Sequence, residues 1–434
     1  MISDSNGPAT NEQVNVLNYG SIGSATVNTL YDYTDGGAFT NYGSIKSLAN
    51  IHGYTYNFGY VNDVSLQGTG LLGSSVSNRD GGQIQTASVD GASIGNYAGD
   101  YNGGYIGTVN ATNQRNNETQ VNNYYGGKIN SVITQGKVLV NNGMGGTTTQ
   151  SNLTSSIEKL NISGYLGSFQ NGKNGVITEA VLDGTGMGNG TYTSFNDGNI
   201  SKLTMSGSLG SEVSNGGSIG ELNVKSGIMT NHYSGEINSL TLDAGQVKNN
   251  GASAIIKAFT INGGEVINGE SATLGTGTLA GRGTLVNNAH VDDLTLRNAR
   301  MSGTGTFDTL TINGINGTTN YEGGLLDTTK FTGLIGDLSF VDNGGINFLV
   351  GLNTFSTVNI FGEIDLSNGI VSVEFDNSFA TSDWTKFDLA NLFNFDTGLD
   401  VGSFADDVSW RSFLLSGLDN IDYSYTDSWI VRGT

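Results

Sequence analysis

GSIGELNVKSGIMTN (217–231), GEINSLTLDAGQVKNNG (235–251) and FTINGGEVINGE (259–270) carry one frame of residues. An apolar residue stands at position i, others at i+3 and i+5, a Gly at i+7 or i+8, and an Asn at about i+12. The same frame reads Ile84/Ala87/Val89/Gly91/Asn96, Ile129/Val132/Thr134/Gly136/Asn141, Ile219/Leu222/Val224/Gly227/Asn231, Ile237/Leu240/Leu242/Gly245/Asn249 and Ile256/Phe259/Ile261/Gly263/Asn268. Position i runs through Ile22, Ile45, Val61, Ile84, Ile106, Ile129, Ile157, Ile177, Ile200, Ile219, Ile237, Ile256, Leu274, Val291 and Phe307, in steps from 16 (Ile45 to Val61) to 28 residues (Ile129 to Ile157). A repeat of this length is one coil of a solenoid.

Positions i+3 and i+5 share a face only in an extended chain, whereas a helix needs i, i+3, i+4 and i+7. Leu203-Thr-Met205, Leu222-Asn-Val224, Leu240-Thr-Leu242, Leu294-Thr-Leu296 and Leu310-Thr-Ile312 alternate as half-buried strands do. The Gly supplies a positive-φ corner, and Ile94, Leu139, Met229, Val247 or Val266 opens the next face. Three faces and three corners are expected per coil. The fold class is therefore all-β, a parallel β-helix, and the variable coil length selects the right-handed form. Residues 14–320 give about 15 coils, a rod on the order of 70 Å long at the ~4.8 Å strand spacing, after a tail over 1–13. Asn141 to Asn152 is expected as a loop pushed out of the longest coil. Asn141, Asn231, Asn249 and Asn268 are expected at one corner, either as an amide ladder or as a solvated polar turn.

With 67 Gly and one Pro in 434 residues, the turns rely on Gly, Asn, Asp and Ser. Cysteine is absent, which removes disulfides, zinc thiolates and thiol nucleophiles. A net charge of −21 with only 18 Lys and Arg argues against nucleic acid as a partner. No apolar run is long enough for a membrane-spanning helix, and MISDSNGPATNEQ (1–13) lacks the basic and apolar regions of a signal peptide.

Composition changes near residue 320. From Phe331 onward lie 12 of the 18 Phe and all three Trp (Trp384, Trp410, Trp429), and residues 363–434 hold 13 acids against 3 bases. Alternation continues through Val358-Asn-Ile360, Ile364-Asp-Leu366 and Val371-Ser-Val373-Glu-Phe375, while Ser382 to Leu392 reads as a short capped helix or a loop. Residues 321–434 are expected to form an aromatic C-terminal cap that covers the open strand edges of a solenoid.

The repeats quoted at the outset resemble those of bacterial autotransporter passenger domains, secreted by the type V route. NYGSIGSATVN (18–28) and NYGSIKSLAN (41–50) are similar to the Asn- and Gly-rich repeats of large autotransporter adhesins and vacuolating-cytotoxin-like passengers. The resemblance covers roughly 14–320, is one of repeat style, and implies a protein of the bacterial surface or the extracellular space. Neither an export signal nor a translocator barrel is read here, since Trp429-Ile-Val-Arg-Gly-Thr434 precedes no further strand series. The expectation is a passenger alone, or a relative exported differently.

A polysaccharide-cleaving β-helix needs carboxylates converging on one face from neighbouring coils. Asp292-Asp293 is the one acidic pair in the repeats, and neighbours in a strand point to opposite faces, so solvated turn positions are the better reading. Arg282, Arg297 and Arg300 nearby are a lesser signal for a lyase. His52, His232 and His290 fall in distant coils, which gives neither a metal site nor a triad; no metal and no cofactor are expected. Thr-x-Thr pairs (Thr276/Thr278, Thr304/Thr306, Thr309/Thr311) suggest an ice-binding ladder but read as lacking a common coil offset.

Tyr19, Tyr42, Tyr97, Tyr101, Tyr105, Tyr124 and Tyr125 gather near coil corners. They are the candidate ligand-binding residues, able to stack on sugar rings or on a protein, with mutual packing over the first coils as the alternative. The expected function is a non-enzymatic adhesin or self-associating scaffold whose partners are a cell-surface glycan, a protein or copies of itself, held through Asn- and Thr-rich faces. A polysaccharide-acting enzyme is the alternative.

Overall fold

The computed structural model describes residues 2–3, 16–28, 38–68, 74–97, 103–113, 119–143, 153–164, 167–183, 194–207, 212–297, 299–314, 325–342, 344–350, 356–365, 369–375, 384–387, 392–395, 412–416, 421–422 and 429–432. Of the loop expected over Asn141 to Asn152, Asn141 and Asn142 end a strand, while 144–152 lie outside the described residues, as do Tyr101 and Trp410. No α-helix is present among the described residues, and the stacked sheets of both compact units, Met1–Thr230 and Asn231–Thr434, pair in parallel, with a small antiparallel sheet in the second. The protein is a parallel β-solenoid.

In the first unit, strands such as Gln83–Asp90, Tyr105–Thr112 and Lys128–Gln135 pair in register through position i, which runs Ile22, Ile45, Val61, Ile84, Ile106, Ile129, Ile157, Ile177, Ile200 and Ile219. A second sheet stacks Ser74–Arg79, Ser93–Tyr97, Thr119–Tyr124 and Val138–Asn142 with their counterparts. Ile84, Ala87 and Val89 are buried while Gln85 and Thr86 both face outward. Two adjacent outward residues require the strand to bend, because a straight strand alternates. The three expected faces therefore resolve as two hydrogen-bonded sheets, the first bent at i+1 and i+2. Between them the apolar columns are almost wholly removed from water, each such Ile or Leu contributing about 1.5–3 kcal/mol.

The second unit repeats the plan. Ile237, Ile256, Leu274, Val291, Phe307 and Ile335 stand in register, as do Val247, Val266, Leu285 and Met301 on the second sheet. Gly277 takes an i+3 place that holds Leu240, Phe259, Leu294 and Leu310 in other coils, and the Phe259 ring occupies its missing side-chain volume. Parallel pairing continues past residue 320, through Leu334–Val341 on Thr306–Asn313 and through Gly345–Val350, Ile370–Phe375 and Ser412–Ser416. Within 382–392, residues Trp384–Phe387 form a strand, antiparallel to Trp429–Arg432, where a helix or loop was expected.

Inside each unit a column of buried asparagines runs along the second sheet's end. In the first it reads Asn18, Asn41, Asn57, Asn78, Asn96, Asn123, Asn142, Asn171, Asn196 and Asn215, each amide donating to the next Oδ1 at 2.7–3.0 Å. Asn231, Asn249, Asn268 and Asn287 do the same in the second. These amides also donate to main-chain carbonyls at the turn, as Asn78 does to Gly82 and Tyr105. The ladder reading holds, with one correction. Asn142, not Asn141, is the rung, and Val140, not Leu139, is the inward residue before it, because the turn at Gly136–Lys137 makes that coil one residue longer. Asn141 donates instead to Asn122 at 2.7 Å. Likewise the left-handed corner of the coil begun by Ile256 is Gly264, with φ 73°, one residue beyond Gly263.

Candidate functional site

The side chain after a ladder Asn leaves the core at the turn, so those side chains stack coil upon coil. NYG (18–20), NYG (41–43) and NFG (57–59) thereby place Tyr19 on Tyr42 at 5.0 Å and 6°, and Tyr42 on Phe58 at 5.1 Å and 12°. Tyr19 is 72% and Tyr42 47% exposed. Phe58 escapes a search for tyrosine alone, although the Asn-aromatic-Gly spacing signals it. The same slot passes to Arg79, whose guanidinium lies 4.8 Å over the Tyr56 ring, and by main-chain register to Tyr97 and Tyr124.

Tyr105, Tyr124 and Tyr125 make other contacts. Tyr124 donates to Asn122 Oδ1 at 3.1 Å and meets Tyr125 edge-on at 6.2 Å, and Tyr125 itself is left-handed with φ 49°. Tyr105 sits on the first sheet, its hydroxyl accepting from Asn130 at 2.7 Å. Stacked rings cover one another's faces, so the Tyr19–Tyr42–Phe58 column offers edges and hydroxyls outward, with one open face at Tyr19. Tyr19 with Tyr42, Tyr124 with Tyr125, and Tyr105 thus make different contacts.

A second outward column lies on the first sheet of the second unit. Thr241, Thr260, Thr278, Thr295 and Thr311 occupy position i+4 of successive strands, followed by Ser339. Thr278 and Thr311 thus do share a coil offset, contrary to the sequence reading, which counted pairs and not register. The neighbouring i+2 column is mixed: Ser239, Ala258, Thr276, Asp293, Thr309 and Asp337. The ladder asparagines add no face of that kind, because they are buried and already bonded.

Asp292 and Asp293 both point outward, as the reading of solvated turn positions expects, because they occupy the bend at i+1 and i+2 and not a straight strand. They part company at their tips. Asp293 accepts from Thr276 Oγ1 at 3.1 Å, while Asp292 reaches His290 Nε2 at 3.2 Å. Asp308 of the next coil lies 3.6 Å from the same Nε2. Reading the histidines only against one another missed this group; the signal was His-x-Asp at i−1 and i+1 with Asp again at i+1 one coil later. Arg282 and Arg300 line a different feature, an open cleft of about 950 Å³ shared with Lys330 and Asp327 and not lined by Asp292 or Asp293. On the first unit's outer wall, hydrogen bonds from Thr86 and Asn62 and the charge of Lys46 hold the Asp63 carboxyl below its ordinary range.

No family model and no curated protein matches this chain.

Proposed function

We propose that this protein is a non-enzymatic, self-associating or adhesive scaffold of the extracellular or bacterial-surface type. In this reading residues 14–320 form a right-handed coil of autotransporter-passenger style and 321–434 form its C-terminal cap. The observation that carries the reading is the threonine column of the second unit, one β-branched hydroxyl side chain presented at the same outward position by five successive strands. Identical side chains at strand spacing can interdigitate with those of a second copy or track a repeating polymer, each contact weak and their sum large. The exposed Tyr19–Tyr42–Phe58 stack of the first unit supplies a second such column, with apolar edges and hydroxyl tips for a glycan or a protein.

A bead-aggregation assay with the purified chain tests this, beside an assay for sugar ends released from acidic polysaccharides. Clumping is expected without sugar release, and the pair Thr278→Lys/Thr295→Lys is expected to abolish it by placing like charges on the column. Release of sugar without clumping would overturn the scaffold in favour of a polysaccharide-acting enzyme. One observation favours that second reading: Asp292 and Asp308 bring carboxylates from neighbouring coils together beside His290. Asp308→Asn would then abolish release.

A further inference from the structure

The i+1 column of the second unit reads Lys257, Gly275, Asp292, Asp308 and Gly336. Two carboxylates at one outward slot of adjacent strands repel. No Lys or Arg bridges to either among the described residues; what faces both is the His290 ring, from slot i−1. Its Nδ1 lies 2.9 Å from Thr306 Oγ1 in the next coil. With Nδ1–H donated to that hydroxyl, Nε2 turns a lone pair toward Asp292 Oδ1 and Asp308 Oδ2, at 3.2 and 3.6 Å. The three atoms lie within 4.8 Å of one another, near enough to share one cation.

We propose that His290 Nε2, Asp292 Oδ1 and Asp308 Oδ2 bind one divalent transition ion of the zinc type. Ligands held about 2.0–2.2 Å from such an ion stand roughly 3.0–3.5 Å apart, which the two nitrogen–oxygen separations approach before any side-chain adjustment. One imidazole with two carboxylates suits zinc or manganese, whereas calcium takes six to eight oxygens. Thr306 acts as a positioning residue, fixing the tautomer and the ring plane. Gly275 and Gly336 put no side chain over the aspartates from the coils on either side, so the remaining coordination positions open to water. The ligand side chains are 40%, 49% and 68% exposed, so the ion can enter without rearrangement of the strands.

The test is calorimetric titration of the tag-free full chain with zinc chloride, repeated with calcium chloride, for wild type, His290→Gln, Asp308→Asn, Thr306→Val and the distant control Asp243→Asn. Circular dichroism of each variant checks that it is folded. Saturable binding of a single zinc is expected, weakened at least tenfold in His290→Gln and Asp308→Asn, about tenfold in Thr306→Val, and unchanged in Asp243→Asn. Three results would overturn the site: no saturable zinc binding, zinc binding that survives His290→Gln, or calcium bound as tightly as zinc.

Discussion

Thr134 takes the i+5 place that holds Val89, Ile162 and Leu182 in other coils, and it is fully buried with no partner for its hydroxyl. A buried hydroxyl without a hydrogen bond costs about 1–3 kcal/mol, and valine has nearly the same shape. Thr134→Val is expected to stabilise the chain by about 1 kcal/mol, read as a higher denaturation midpoint at unchanged slope. An unchanged or lower midpoint would mean that the hydroxyl has a partner. The ladder asparagines stand at the opposite extreme, since their amides are buried and satisfied on both sides. At this scale, residue type alone says little about burial. Asn196 is fully buried, whereas Tyr19 and Tyr233 are 72% and 76% exposed, because place in the coil decides and not hydropathy.

An element here is one strand within a stack, and its register is fixed by two inward sets, the apolar columns and the Asn column. Slipping a strand by one residue would turn both outward together. Asn196 receives the Asn171 amide at 2.8 Å and donates to Asn215 at 2.7 Å and to the Ser218 carbonyl at 3.2 Å. Asn196→Asp replaces the donor by an acceptor and sets a carboxylate against two oxygens in the core. A loss of about 3–5 kcal/mol is expected at neutral pH, larger than for Asn196→Ala, and lessened in acid when the carboxyl takes up a proton. Equal losses for the two variants at pH 7 would show that the ladder does not depend on directed donation. The column gives out after Asn287 for a local reason. Its register partner is Gly303, with φ 120° and a main chain that passes too close for any side chain. Beyond it the buried contacts become aromatic, Phe307 on Phe331 and Phe348 on Phe393.

The chain carries a net charge of −21, with few ion pairs among the described residues, Lys202–Glu221 and Lys257–Glu236 being those between Lys and Glu. Self-repulsion of that kind opposes any compact state and also keeps copies apart. Raising sodium chloride from about 10 to 150 mM shortens the screening length from roughly 30 to 8 Å. Thermal midpoint and aggregation rate are therefore both expected to rise with salt, followed by circular dichroism and turbidity. A midpoint that falls with salt would mean that the exposed pairs outweigh the repulsion.

The sequence by itself determined the coil. Apolar residues at i, i+3 and i+5 can share a core only in an extended chain that bends between i and i+3, and recurrence of that frame forces parallel stacking. It also placed recurring asparagines at a coil corner, and only the stacked coils decided for the amide ladder over a solvated turn. Register at single-residue precision was decided only in the tertiary structure, since coils differ in length and turns absorb the difference. Asn142 in place of Asn141 shows how one inserted residue moves a rung, and Gly264 in place of Gly263 shows that of two adjacent glycines only the fold picks the corner. The outward columns followed the same rule. The threonine column and the His290–Asp292–Asp308 group join residues 16 to 19 apart whose alignment depends on every intervening turn. Inward positions are legible because burial restricts them to a few residue types; outward positions accept nearly any, so their pattern emerges only when the coils are stacked.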